Sequence, residues 1–240
     1  MATVIRPDRA QPRPRPLGAM ADPLPLQGGD HLTRAEFERR YHAMPKTTKA
    51  ELIEGVVFMP SPVHHVGHSQ PHSLIMTWLG VYCAATRGVD LGDNATVRLD
   101  AENEVQPDAL LRIEPVSGGH SHVTADDYLA GAPELIVEVA FSSASYDVHD
   151  KLKVYRRNGV QEYVVWRVQD GALDWWELIE GAYVPLSPDE QGIIHSRVFP
   201  GLSLNVDKLL TGDLAGVLAD LQQGLGTDAH TALIAKLRTE

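Results

Sequence analysis

Hydrophobic positions along this chain change period several times, and each change marks an element. Thr33-Arg34-Ala35-Glu36 has capping-box spacing, and Phe37 and Tyr41 follow on one helical face, so ordered structure is predicted to begin there. Glu51-Leu52-Ile53 and Val56-Val57-Phe58-Met59 flank Glu54-Gly55, the pattern of a β-hairpin with a two-residue turn. Leu74, Trp78 and Leu79 or Tyr82 form an apolar stripe that predicts a helix over about residues 71–86, with Gly88 as its stop. Residues 94–99 alternate like a strand, residues 100–104 read as a polar turn and residues 108–113 as the next strand. A loop over 114–132, with a short helix near 126–129, leads to a strand over 134–141 that is apolar enough to be central. A helix from about Asp147 to Asn158-Gly159 and a strand over 161–167 complete a strand–helix–strand unit, which implies a right-handed crossover and a locally parallel pair. A second hairpin is predicted around Glu180-Gly181, then a helix over 207–223 and a weakly held one over 227–240. The sum is an α/β (α+β) fold with a mixed β-sheet flanked by helices.

Composition narrows the class. The 240 residues suit one large domain with appendages, and 43% hydrophobic content supports a substantial core. Residues 1–29 carry many prolines and arginines and little apolar periodicity, as in Gln11-Pro12-Arg13-Pro14-Arg15-Pro16, and predict an unstructured leader. No apolar run approaches the roughly 20 residues of a membrane helix, and the N-terminus shows no signal-peptide core. The single cysteine, Cys83, excludes an intrachain disulfide framework and a four-cysteine zinc site. A cytoplasmic protein without membrane contact is the expectation. The net charge of −11 opposes loose attachment to nucleic acid, though a local basic groove stays compatible with it.

Against this background a few charged residues stand out. Asp108 follows Pro107 at a strand start, where a side chain can face a cleft; the same dipeptide also suits an ordinary turn. Glu138 lies between Val137 and Val139 in the apolar strand, and a buried carboxylate needs a cation or donors to offset its lost hydration. Strand alternation places Glu134, Ile136, Glu138 and Ala140 on one face, with Glu134 at the exposed start. In the following helix Lys151 falls inside the apolar arc of Val148, Leu152, Val154 and Tyr155, whereas Lys153, Arg156 and Arg157 point away. Lys151 is therefore the lysine aimed at the sheet, either as a site residue or as a snorkelling stem. Glu51, on the first hairpin, is the better third acid than Glu54 in the turn. His64, His65, His68 and His72 could ligate zinc if they stacked on one helix, but Gly67 and Pro71 argue for a loop of solvated histidines, one of which could still line a cleft beside Glu51. Trp166, Trp175 and Trp176 read as packing residues rather than base-stacking platforms. Ser142-Ser143-Ala144-Ser145 lacks the G-x-S-x-G elbow and reads as a helix cap.

Taken in order, Glu51-Leu52-Ile53-Glu54-Gly55, Met59-Pro60-Ser61-Pro62, Pro107-Asp108, Glu134 through Val139, Lys151 with Tyr155 through Tyr163, and Phe199-Pro200-Gly201-Leu202 resemble the Uma2 family, the former DUF820 group. The resemblance spans about residues 30–205 and leaves 206–240 as a C-terminal helical extension. It implies a restriction-endonuclease-like PD-(D/E)XK core with a carboxylate metal site. In that pattern Asp108 matches the aspartate of PD, Glu138 the acid of the next core strand and Glu51 the glutamate of the opening hairpin. The lysine expected two places after Glu138 is replaced by Ala140, and Lys151 matches a lysine displaced to the following helix. Ser142-Ser143-Ala144 departs from the Ser-Pro-Ser that the family often shows. The implied activity is endonucleolytic hydrolysis of DNA with Mg²⁺ or Mn²⁺. Asp108, Glu138 and Glu51 would hold the metal and Lys151 would position or activate water. The alternative is a non-catalytic binding or dimerising module on the same scaffold, a homodimer being compatible with either. A zinc hydrolase built on the histidines is a third reading.

Overall fold

A six-stranded mixed sheet forms the centre of the molecule. The computed structural model describes residues 23–60, 64–141 and 147–238. In chain order the elements are α1 (Arg34–Tyr41), β1 (Glu51–Ile53), β2 (Val56–Phe58), α2 (Gln70–Ala85), β3 (Val89–Asp93), β4 (Val97–Arg98), β5 (Glu104–Val105), β6 (Ala109–Ile113), β7 (His122–Val123), β8 (Leu129–Ala130) and β9 (Leu135–Ala140). They continue with α3 (Leu152–Asn158), β10 (Glu162–Arg167), β11 (Ala172–Ile179), β12 (Ala182–Pro185), β13 (Ile193–His195), β14 (Ser203–Asn205), α4 (Val206–Leu210), α5 (Leu214–Leu225) and α6 (Asp228–Leu237). The central sheet has the order β12-β11-β10-β9-β6-β3. Its one parallel pair is β9–β10, as the strand–helix–strand pattern predicts; the rest are antiparallel. A second sheet, β2-β1-β5-β4-β8-β7, is built entirely of two- and three-residue strands.

The two faces of the central sheet bury different partners. Ala109, Leu111, Leu135, Val137 and Val139 pack against Ile75, Trp78 and Tyr82 of α2, Val217 and Leu221 of α5, and Leu237 of α6. Leu110, Ile136, Ala140, Tyr163 and Val165 pack instead against Val154 and Tyr155 of α3 and against Ile53, Val97 and Val105 of the second sheet. Glu138 belongs by alternation to this second face, under α3. Trp166 and Trp175 are core residues, as the packing reading expects.

Local chemistry explains the ends of the elements. Thr33 Oγ1 caps α1 by accepting the Glu36 amide at 3.4 Å, while the Glu36 carboxylate turns to Arg39 and Arg40. Both predicted hairpins form, with positive φ at Glu54 and Gly55 and at Glu180 and Gly181, the twist that two-residue turns require.

The structure corrects several expectations. Residues 94–99 pair only over Val97–Arg98. The short helix near 126–129 is a turn, with Asp127 at φ 66°, followed by β8. The 207–223 helix breaks at Gly212, whose φ is 77°, and Asp213 caps a new start by accepting the Gly216 amide. The last helix is firmly held, because His230 and Leu237 are buried and Ser117 Oγ donates to the Leu237 carbonyl. Of the expected leader, residues 1–22 lie outside the described residues, as do Ser142, Ser143, Ala144 and Ser145. Residues 23–29 are docked: Leu26 is buried with Phe37 and Leu52, and the Gly29 amide donates to Val57 O at 2.8 Å. Glu134, expected at an exposed strand start, is 1% exposed and accepts the amides of Ile113 and His120, because the loop before it folds back over the strand.

The second sheet buries a charge cluster of its own. Glu104 is buried, and Arg98 Nε lies 2.9 Å from Glu38 Oε1 and 3.4 Å from Glu104 Oε2. Burial, and then the neighbouring Glu38 carboxylate, push the Glu104 carboxyl up from 4.5 to about 7 against the pull of Arg98. A carboxyl raised in this way binds more protons folded than unfolded. Its contribution to stability is complete below its unfolded value and is lost as the pH rises through about 7. Urea melts are expected to show this loss between about pH 5 and pH 8, on the order of 2 kcal/mol, and Glu104→Gln should flatten that slope. A variant with the wild-type slope would assign the dependence to another group.

Candidate active site

The site begins with β9. All six of its residues are buried, and Glu138 is the one charge among them. Its Oε1 accepts from Lys151 Nζ at 2.9 Å and from Tyr155 Oη at 2.8 Å. Lys151 is 4% exposed and also lies 3.2 Å from Glu51 Oε1. Glu51, at the first position of β1, is held in turn by the Gln106 amide at 2.7 Å. The hairpin glutamate, the central-strand glutamate and the helix-side lysine thus meet. Lys153 is 66% exposed and pairs with Asp150 alone among the described residues, as helical phase predicts for a surface lysine.

Asp108 immediately precedes β6 and reaches the same strand from the other side. Its Oδ2 accepts the Val139 amide at 2.7 Å, next to Glu138, and its Oδ1 lies 3.0 Å from His68 Nε2. Burial pushes the Asp108 carboxyl up, but the His68 bond and charge, the Val139 amide and the Lys151 ammonium outweigh it and hold the carboxyl below its usual value. It is therefore an anion at neutral pH, the form that binds a cation.

His64 and His65 are exposed, as expected of a solvated segment, but His68 and His72 are partly buried and the segment is not a loop. His65–Ser69 forms a π-helical turn that runs directly into α2. Pro71 sits in the first turn of the α-helix proper, where a missing N–H costs little, and the wider π-turn takes up the change of geometry. Gly67 lets this turn press on the end of β9, since a Cβ there would lie 2.5 Å from the Phe141 ring. The His68 and His72 rings consequently lie side by side, tilted by 35° with centroids 5.8 Å apart, and His72 Nε2 reaches the Asp108 carbonyl at 3.0 Å and Asp93 Oδ1 at 3.3 Å. His64 packs against Phe141, and among the described residues these histidines form no metal-ligand group of three, in line with the argument against a zinc site.

The sequence reading leaves open that one of the histidines lines the cleft, but does not assign His68 and His72 to Asp108 or the Tyr155 hydroxyl to Glu138. Tyr155 lies four residues after Lys151 on the same helical face, so that spacing is a signal in the sequence. The two imidazoles depend on the π-turn, which no local pattern announces.

The three carboxylates are donors in kind for Mg²⁺ or Mn²⁺, whereas the His68 imidazole faces a carboxylate rather than an ion. Asp108 uses one bond on each oxygen, about half of the roughly four acceptor positions of a carboxylate. Among the described residues no three His, Cys, Asp or Glu side chains already close on a single ion; the Lys151 ammonium stands between two of the carboxylates. The donor chemistry fits the metal, and closure on it requires side-chain adjustment around Lys151.

A mixed sheet with helices on its faces, an acid on its central strand and another just ahead of the adjoining strand make this an α+β protein with a carboxylate-lined site. The profile of the Uma2 family, described as "Putative restriction endonuclease", matches residues 34–207, and the chain belongs to that family. Among solved structures it is similar to the crystal structure of a putative nuclease belonging to DUF820 from Anabaena variabilis ATCC 29413, with a TM-score of 0.56 at 15% identity. The match covers 75% of this chain and 98% of that one, and it establishes the shared fold. No curated protein matches the chain. Among the described residues no helix is long and apolar enough to cross a membrane.

Proposed function

We propose that the chain is a Mg²⁺- or Mn²⁺-dependent endonuclease hydrolysing phosphodiester bonds of DNA. The observation that carries this reading is the convergence of Glu51, Glu138 and Lys151, with Asp108 bonded to the backbone beside Glu138. Asp108, Glu138 and Glu51 would hold the metal. The metal, when bound, supplies an acidified water and neutralises charge on the scissile phosphate. The Lys151 ammonium carries positive charge into a carboxylate-lined site where an anionic phosphate must approach, and it orients the attacking water. Glu138, bonded to both Lys151 and Tyr155, holds that ammonium in place. The overall charge of −11 makes this local positive charge, and that of the ion, necessary for the approach of a polyanion.

Cleavage of a supercoiled plasmid should appear with Mg²⁺ or Mn²⁺ and vanish with a chelator. Asp108→Ala should reduce it on the order of 100-fold or more. Undiminished cleavage by pure Asp108→Ala protein would sink the proposal.

One observation favours the second reading, a non-catalytic module that binds a partner or dimerises. Lys151 already bridges Glu51 and Glu138, as a closed structural ion-pair network would. Calorimetry separates the two: absence of Mg²⁺ and Mn²⁺ binding at millimolar concentration supports the module.

A further inference from the structure

We propose that His68 is a positioning residue of this site, holding the Asp108 carboxylate in the orientation that binds the metal; the inference rests on the metal-nuclease reading above. Three groups fix this one aspartate. His68 Nε2 takes Oδ1 at 3.0 Å, the Val139 amide takes Oδ2 at 2.7 Å, and His72 Nε2 takes the main-chain oxygen at 3.0 Å. Because Asp108 Oδ1 is an acceptor, His68 Nε2 carries a proton in this contact and donates it toward the carboxylate.

Burial alone does not call for this contact. The Asp108 and His68 side chains are 13% and 19% exposed, so water could satisfy either one. Delivery of His68 instead uses unusual local structure. It lies in a π-turn, whose hydrogen bonding departs from the α form, and that turn seats against Phe141 only because residue 67 has no Cβ. The Lys151 side of the site is built alike, since Lys151 ends the π-turn Asp147–Lys151 ahead of α3. Two π-turns therefore bring nitrogen donors to the two sides of the β9 carboxylate cluster.

Hydrogen-bond partners of ligating groups typically carry 10–100-fold in metal affinity. The test is titration of Mn²⁺ alone into wild type, His68→Phe, His68→Asn and His68→Gln, by calorimetry and by electron paramagnetic resonance of the free ion. Phe offers no donor, and the Asn amide stops short of Oδ1; both variants should lose about 10–100-fold in affinity. The Gln amide nitrogen reaches about as far as Nε2 and should restore binding to within about threefold. Should His68→Phe fail to fold, as judged by its thermal transition, the Asn and Gln pair decides alone. Equal affinity across the folded variants, or failure of Gln to recover what Asn loses, overturns the assignment and leaves the metal reading standing. A wild type that binds no Mn²⁺ overturns both.

Discussion

Lys151→Ala is expected to lower the free energy of unfolding by about 3–5 kcal/mol, the typical cost of removing one partner from a buried ion pair. The change deprives Glu138 of its nearest ammonium inside a strand whose every residue is buried, and it takes a cation from Glu51 as well. Tyr155 remains as a donor to Oε1, but a neutral hydroxyl compensates a buried anion less well than an ammonium does. Neutralising both partners tests this account. Lys151→Met with Glu138→Gln should recover most of the loss, because it removes the stranded charge and keeps the volume. Urea melts of wild type, single and double variants are the measurement. A single-variant cost below about 1 kcal/mol would place the stabilisation of Glu138 elsewhere.

The second large effect lies on the opposite face. Glu162 is fully buried, and its two oxygens accept four bonds: Arg197 N at 2.6 Å, Val198 N at 3.1 Å, Ser196 Oγ at 2.8 Å and Trp175 Nε1 at 3.1 Å. This carboxylate fastens the segment ahead of Phe199 to the sheet, and through it the C-terminal layer that packs on α2. Glu162→Leu leaves those donors without an acceptor and should cost roughly 4 kcal/mol or more, at about 1–3 kcal/mol for each unsatisfied buried group. Glu162→Gln should cost about half of that, because its carbonyl can serve one pair of donors only. Hydrogen exchange should locate the loosening at residues 196–205, with the Val139 amide still protected. A Leu variant within about 1 kcal/mol of wild type would show that the clasp is dispensable.

How much of the site was legible depends on the range of each signal. Glu138 and Lys151 were readable because a charge in an apolar strand and a charge in an apolar helical arc are local contradictions of pattern. Glu134 offered the same contradiction but lay at a strand end, where exposure is the default; only the return of the 118–121 segment buries it. The mixed sheet and its parallel pair followed from the strand–helix–strand order. Strand β3 did not stand out, because Val89-Asp90-Leu91-Gly92-Asp93 is polar and glycine-bearing and is held by register against β6. The second sheet was largely illegible for the same reason: two-residue strands exist through long-range pairing rather than propensity. His68 and His72 were misjudged because Gly67 and Pro71 break an α-helix, whereas here they fit a π-turn and a helix start.

The contacts of the site also differ in the length of chain they close. Lys151 meets Glu138 across 13 positions, whereas Asp108 meets the Val139 amide across 31, His68 across 40, and Gln106 meets Glu51 across 55. Contacts that close short loops can form early, and those that close long loops wait for the surrounding topology. In a nascent or partly unfolded chain Glu138 and Lys151 are already near neighbours along the sequence, while the aspartate–histidine and hairpin-glutamate contacts still have long loops to close. Under the proposed reading, hydrolytic capacity emerges only with completion of the tertiary structure, so that folding itself keeps incomplete copies from cutting DNA.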